Sequence, residues 1–178
     1  MNILAESRSY SALLSASSDG QVILWDLNRL DLVRVLPSGK PVDCARINDV
    51  TGVILLCRGS LVALYTLNGE LILEQNIYIE NDDLISSCAF YEGSGSDFLE
   101  RQLVFTGHKR GVVNVWNMAI RNGAFTLEHV KRMHHLDQAG FNIGASITAI
   151  LPMAQVVYTG DDDGRVVSFP FLSKQLCR

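Results

Sequence analysis

Four segments of this chain repeat one pattern, and that repeat limits the available folds more than any other feature. The clearest copy runs from Leu13 to Asp26, LLSASSDGQVILWD. A second clear copy spans Leu103 to Asn117, LVFTGHKRGVVNVWN, and a third spans Val156 to Pro170, VVYTGDDDGRVVSFP. A degenerate copy, Ile54 to Thr66, reads ILLCRGSLVALYT. Gly20, Gly111 and Gly164 each stand five positions before an aromatic: Trp25, Trp116 and Phe169. Tyr65 fills the same slot five after Ser60. The aromatic slots, 25, 65, 116 and 169, are therefore spaced 40, 51 and 53 residues apart. Self-similarity at such a period marks a chain built from one supersecondary unit.

Each unit reads as strands. Apolar, β-branched runs flank a polar turn that contains glycine, which predicts a hairpin. In the first copy Leu13-Leu14 leads into Ser17-Ser18-Asp19-Gly20, and Val22 to Trp25 resumes the apolar run. Gly20 suits that turn because glycine reaches positive φ without a Cβ clash. These are strands b and c. A shorter strand a precedes three of the hairpins, at Val42–Ile47, Ile85–Phe90 and Ile147–Leu151, and Ile3-Leu4-Ala5 matches it in the first unit. Its third position is small in each case, Cys44, Ser87 and Ala149, as a crowded inner strand requires. An outer strand d is expected at Leu30–Leu36, Glu70–Ile77 and Phe125–Met133. Gly/Ser-rich Tyr91–Asp97 and the Gln138–Ser146 segment read as insertions that lengthen two of the intervals.

A period near 40–45 residues with four strands per unit is the signature of a WD40 propeller blade. The predicted fold class is therefore all-β, with about four WD40-type β-propeller blades forming part of a seven-bladed propeller. The units are drawn at 1–27, 28–67, 68–118 and 119–172, with a tail at 173–178. On this division the first blade lacks its d strand. The chain is then expected to be the C-terminal part of a longer product or a truncated gene product.

The wording of the repeats resembles a narrower family. Ser15 to Leu30, the Asn68-Gly69 turn, Phe105 to Trp116 and Tyr158 to Val167 are similar to the C-terminal propeller of BEACH-domain proteins, the beige and neurobeachin group. The resemblance covers about residues 3–171. It implies a non-enzymatic protein–protein interaction scaffold in vesicle, endosome–lysosome or autophagy traffic. It implies a cytoplasmic location, peripheral to endomembranes, with membrane association only indirect. The partners it implies are other proteins, including a PH–BEACH region and the remaining blades. A generic WD40 adaptor, such as a ubiquitin-ligase substrate receptor or signalling subunit, is the alternative. One departure concerns the Gly-His pair that often precedes strand a in WD40 blades, whose His bonds the turn Asp. Here Gly39 is followed by Lys40, so a polar network around Asp19, Ser15 or Ser17, and Trp25 is at best partial.

Composition excludes other classes. Apolar residues make up 48% and charged residues 19%, too apolar for a disordered chain. The net charge of −4 provides no broad basic face for nucleic acid. Four cysteines, Cys44, Cys57, Cys88 and Cys177, form no CxxC pair and read as reduced, mostly buried thiols.

The candidate residues read as structural. Asp19, Gly20, Trp25, Asp26, Tyr65, Gly111, Trp116, Gly164 and Phe169 carry the repeat. Trp25 and Trp116 are expected in the packing between blades. Asp161-Asp162-Asp163-Gly164 fails as a calcium loop: with Gly164 at position six, position twelve is Pro170 rather than Glu. It takes the place of the first hairpin turn instead. His134-His135, with His129 nearby, could suggest a metal site, but adjacent residues on a strand point to opposite faces, so one ion cannot easily use both, and the pair is expected in a surface loop. His108 is expected to be exposed in a turn. No G-x-S-x-G elbow, G-x-G-x-x-G or Walker sequence occurs, so no catalytic, cofactor or metal residue is assigned. A propeller hydrolase or quinoprotein would need a clustered catalytic set that the sequence does not supply.

Overall fold

The computed structural model describes residues 3–78, 84–91, 103–136, 140, 142, 144–153 and 156–170. Among the described residues every regular element is a β-strand, and the strands form four antiparallel sheets. The architecture is all-β, with the blade-like sheets that the repeat predicted. Chain contacts divide into two compact units, Met1–Asn81 and Asp82–Arg178.

The first unit holds two four-stranded sheets. One contains β1 (Ile3–Ser7), β2 (Ala12–Ala16), β3 (Val22–Asp26) and β4 (Asp31–Leu36), in that order. The other contains β5 (Cys44–Ile47), β6 (Ile54–Arg58), β7 (Leu61–Tyr65) and β8 (Leu71–Asn76). In the second unit β9 (Ile85–Phe90), β10 (Leu103–His108), β11 (Val112–Arg121) and β12 (Ala124–His134) form a third sheet. A three-stranded sheet follows, of β13 (Ile147–Met153), β14 (Val156–Asp161) and β15 (Val166–Pro170).

Two expectations need correcting. Boundaries drawn at 28–67, 68–118 and 119–172 assign each fourth strand to the following unit. Hydrogen bonding pairs β4 with β3, β8 with β7 and β12 with β11, so each fourth strand completes the sheet before it. The first sheet therefore has all four strands. The physical reason is local: an antiparallel partner reached through a short turn is the nearest edge available. Of the expected insertions, only Tyr91 in the first and residues 140, 142 and 144–146 in the second are described. Cys177 and the tail at 173–178 lie outside the described residues.

The turns follow the residues. Gly20 has φ +89, and its N–H closes the turn onto the Ser17 carbonyl at 3.1 Å. Asp19 Oδ1 accepts the Gln21 N–H at 2.8 Å. The Asn122-Gly123 pair between β11 and β12 has φ of 51 and 79, the positive values that a two-residue hairpin demands. Phe125–Met133 lies within β12, a strand rather than a helix.

One irregularity recurs at the aromatic slot. The register between third and fourth strands shifts at Leu24/Trp25, at Leu64/Tyr65 and at Val115/Trp116. A bulge adds one residue to the fourth strand there and sharpens its twist.

Each unit has its own core. Leu14, Val22, Leu24 and Leu36 of the first sheet pack with Ala45, Ile47, Ile54, Leu56, Ala63 and Tyr65 of the second. In the other unit Ala89, Phe105, Val113 and Val115 pack with Ile147, Ile150 and Val157, and Phe169 lies against this cluster.

Candidate functional site

The polar side chains with chemistry to offer are gathered between strands rather than in a cleft. In the third sheet β10 and β11 bring four of them into one chain of bonds. Trp116 Nε1 donates to Thr106 Oγ1 at 2.9 Å. Thr106 Oγ1 lies 2.9 Å from His108 Nε2, and Asn114 Nδ2 lies 3.0 Å from the same nitrogen. The Asn114 amide donates, so His108 Nε2 accepts. The Thr106 hydroxyl, already accepting from Trp116, lies against the same nitrogen. His129 on β12 adds an edge contact to Trp116, with ring centroids 5.1 Å apart. Burial, followed by the nearby Arg132 charge, holds the His129 pKa below the ordinary imidazole value.

A second network joins the three-stranded sheet to the residue after β12. His135 Nε2 lies 2.5 Å from Thr159 Oγ1, and His135 Nδ1 lies 3.3 Å from Asp161 Oδ2. All three side chains are buried. Asp161 Oδ1 also accepts the backbone N–H groups of Asp163 at 3.1 Å and Arg165 at 2.8 Å. Burial pushes the Asp161 carboxyl up, but the Arg165 N–H, the His135 hydrogen bond and the His135 and Arg165 charges outweigh it. The pKa is held below the ordinary carboxylate value. Asp162 Oδ1 accepts the Ser146 N–H at 2.8 Å, which ties the turn to the approach to β13.

The first sheet keeps only a fragment of such a network. Trp25 Nε1 donates to Ser15 Oγ at 2.8 Å, while Asp19 stays within its own turn. Asp26 Oδ1 accepts the N–H groups of Asn28 and Arg29 at 2.7 and 3.3 Å and fixes the loop into β4. In the second sheet Tyr65 is buried among apolar neighbours.

The histidine expectations are corrected here. His108 is buried inside a strand, not exposed in a turn, where Thr106 and Asn114 both meet its Nε2. His135 is also buried, because Thr159 and Asp161 converge on it. Its neighbour His134 closes β12 and is only partly covered. For His108 the repeat register carried a signal, although its partners on the neighbouring strand did not show in the local sequence. Thr106-Gly107-His108 aligns with Thr159-Gly160-Asp161, so His108 stands in the slot of a turn carboxylate. A residue there faces the buried threonine two positions earlier.

The remaining candidates sit at turns and packing positions. Gly111 and Gly164 have φ of 71 and 81. Trp116 is buried, whereas Trp25 and Phe169 are only partly covered. Cys44, Cys57 and Cys88 are buried thiols, and Cys44 and Cys57 face each other across β5 and β6. The arrangement braces strands against one another. Its histidines and carboxylate spend their bonding capacity on neighbouring strands.

No protein-family model matches the chain. Similar proteins share a theme. Beige protein homolog 1 of Schizosaccharomyces pombe is 27% identical over 91% of this chain and 7% of its own length. BEACH domain-containing protein A2 of Arabidopsis thaliana is 40% identical over 65% of this chain and 3% of its own length. The human lysosomal-trafficking regulator is 31% identical over 62% of this chain and 3% of its own. The chain thus spans less than a tenth of the length of these relatives. Among solved structures, the WD40 domain of SCAP from fission yeast matches with a TM-score of 0.67 at 14% identity, over 96% of this chain and 42% of that one. The computationally designed Ika4 protein matches with a TM-score of 0.64 at 19% identity, over 94% and 89% of the two chains.

Proposed function

We propose that this chain, a WD40-repeat protein resembling the C-terminal propeller of BEACH-domain proteins, is a non-enzymatic scaffold for protein–protein interaction. The setting is a BEACH-type protein of vesicle, endosome–lysosome or autophagy traffic. Its partners are other proteins, with a PH–BEACH region and further blades beside it. The observation that carries the reading is the similarity to beige and BEACH proteins along most of a chain built from repeated WD40-type sheets. The internal geometry supports it: buried His108, His135 and Asp161 serve inter-strand bonding. Rigid repeated sheets present loops and edges to partners over an extended surface.

The location that follows is cytoplasmic, peripheral to endomembranes through protein partners. Among the described residues no helix is long and apolar enough to cross a membrane. Proximity labelling in cells, with the chain fused to a biotin ligase, tests the reading. Enrichment of endosomal and lysosomal trafficking proteins over a ligase-only control is expected. A labelled set identical to the control would overturn it.

A further inference from the structure

Two thiols meet on one face of the second sheet. Cys44 on β5 stands directly opposite Cys57 on β6, and Cys57 stands opposite Val62 on β7. Residues directly opposite in an antiparallel pair share a face. The three therefore form one row, on the face turned away from Ala45, Leu56 and Ala63. All three side chains are buried. The Cys44 and Cys57 Sγ atoms lie within 4.8 Å of each other. Arg46, exposed, stands two residues along β5 from Cys44 and so on the same face.

The spacing suits an ion between the sulfurs better than a bond between them. Opposed residues on neighbouring strands keep their Cβ atoms about 4.5–5.5 Å apart. A disulfide draws them to about 3.5–4.5 Å, so joining the sulfurs would pull the two strands out of their spacing. Two metal–sulfur bonds of about 2.3 Å, placed end to end, span about 4.6 Å. Thiolate sulfur selects soft ions, Cu+ among them. A structural zinc site closes with four ligands, whereas this row supplies two sulfurs beside an apolar Val62. A soft monovalent ion that two thiolates satisfy fits that donor set. Its complex carries one net negative charge, and Arg46 supplies a positive charge on the same face.

We propose that Cys44 and Cys57 form a binding site for Cu+. Each thiol gives up its proton as the ion enters. Two Sγ–H bonds break, two Sγ–Cu bonds form and two protons pass to solvent, with no change in oxidation state. The ion bridges β5 and β6 at the point where their side chains face each other. The proposal rests on this strand pair and not on the scaffold role.

Anaerobic titration of the reduced 178-residue chain with Cu+ tests it, the ion being supplied as its acetonitrile complex against the chromophoric chelator bicinchoninate. The native chain should take one ion from the chelator and release two protons as it does so. X-ray absorption at the copper edge should show sulfur neighbours only. Cys44→Ala and Cys57→Ala should each bind at least about tenfold more weakly, a change of about 1.4 kcal/mol. Cys177→Ala should bind like the native chain. Cys44→Ser and Cys57→Ser repeat the measurement if circular dichroism shows either alanine variant unfolded, and the proton and absorption readings need no variant at all. A native chain that takes no ion from the chelator overturns the proposal, as do nitrogen or oxygen neighbours at the metal. So does a Cys44 or Cys57 variant that binds like the native chain, or a Cys177→Ala variant that loses the ion.

Discussion

Trp116 and Thr106 are bound across 2.9 Å, ten residues apart on adjacent strands. Trp25 and Ser15 repeat the bond at the same offset, at 2.8 Å. Phe169 stands ten residues after Thr159 but its ring has no N–H to give, and the Thr159 hydroxyl bonds the Val167 carbonyl and His135 instead. The slot therefore tolerates a change of donor only where another partner takes up the hydroxyl.

Trp116→Phe should destabilise the chain by about 1–3 kcal/mol, because it removes the donor to a buried hydroxyl. Trp25→Phe should cost less, about 0.5–1.5 kcal/mol, because Ser15 is only partly covered and water can replace the indole. Urea melts of the two variants check the ordering. Equal losses would contradict it.

Acid should weaken the fold through Asp161. Its folded pKa lies below the unfolded value of 3.8, so the folded state favours the carboxylate. That contribution is fully present above the unfolded value and is lost as the pH falls through the folded one. The urea midpoint should therefore drop steeply below about pH 4, and Asp161→Asn should start lower and fall less. An unchanged acid slope in Asp161→Asn would refute the assignment.

His129 should add a separate step at higher pH. Its folded pKa lies below 6.5, so the unfolded chain takes up the proton first. Stability from this group is complete above about pH 6.5 and declines as the pH falls toward the folded value. His129→Phe should flatten the midpoint between about pH 7 and pH 5. A step that survives the substitution would assign it to another group.

Glycine positions should separate by their surroundings. A Cβ at Gly20 would lie 2.8 Å from the Lys40 backbone N, and φ is +89. A Cβ at Gly164 would meet nothing within 4 Å, although φ is +81. Gly164→Ala should cost about 1–2 kcal/mol, the left-handed penalty alone. Gly20→Ala should cost more, since backbone must also move. Leu30, with φ 58 and its side chain in solvent, should gain about 1 kcal/mol as Leu30→Gly. Thermal melts of the three variants would settle the order.

Much of this was legible before the structure. Gly20, Gly111 and Gly164 stand a fixed distance before an aromatic, and that spacing named both the hairpins and the slot. Apolar, β-branched runs on either side of a glycine-containing turn marked the paired strands. The bulge before Trp25, Tyr65 and Trp116 was hidden, since a one-residue insertion in a fourth strand leaves no composition signal. His108 and His135 were misplaced on the surface for a related reason. A histidine is buried or exposed according to partners that approach from other strands, and local sequence does not show them. The fourth strands were assigned one sheet too late because the repeat, read from the aromatic, has no marked end.

Iodide quenching of the two tryptophans tests the assignment of slot faces most directly. In dilute solution Trp25, read in the Trp116→Phe variant, should be quenched readily. Trp116, read in Trp25→Phe and only 4% exposed, should resist quenching. Equal quenching of the two, or a Trp116 more accessible than Trp25, would contradict the account.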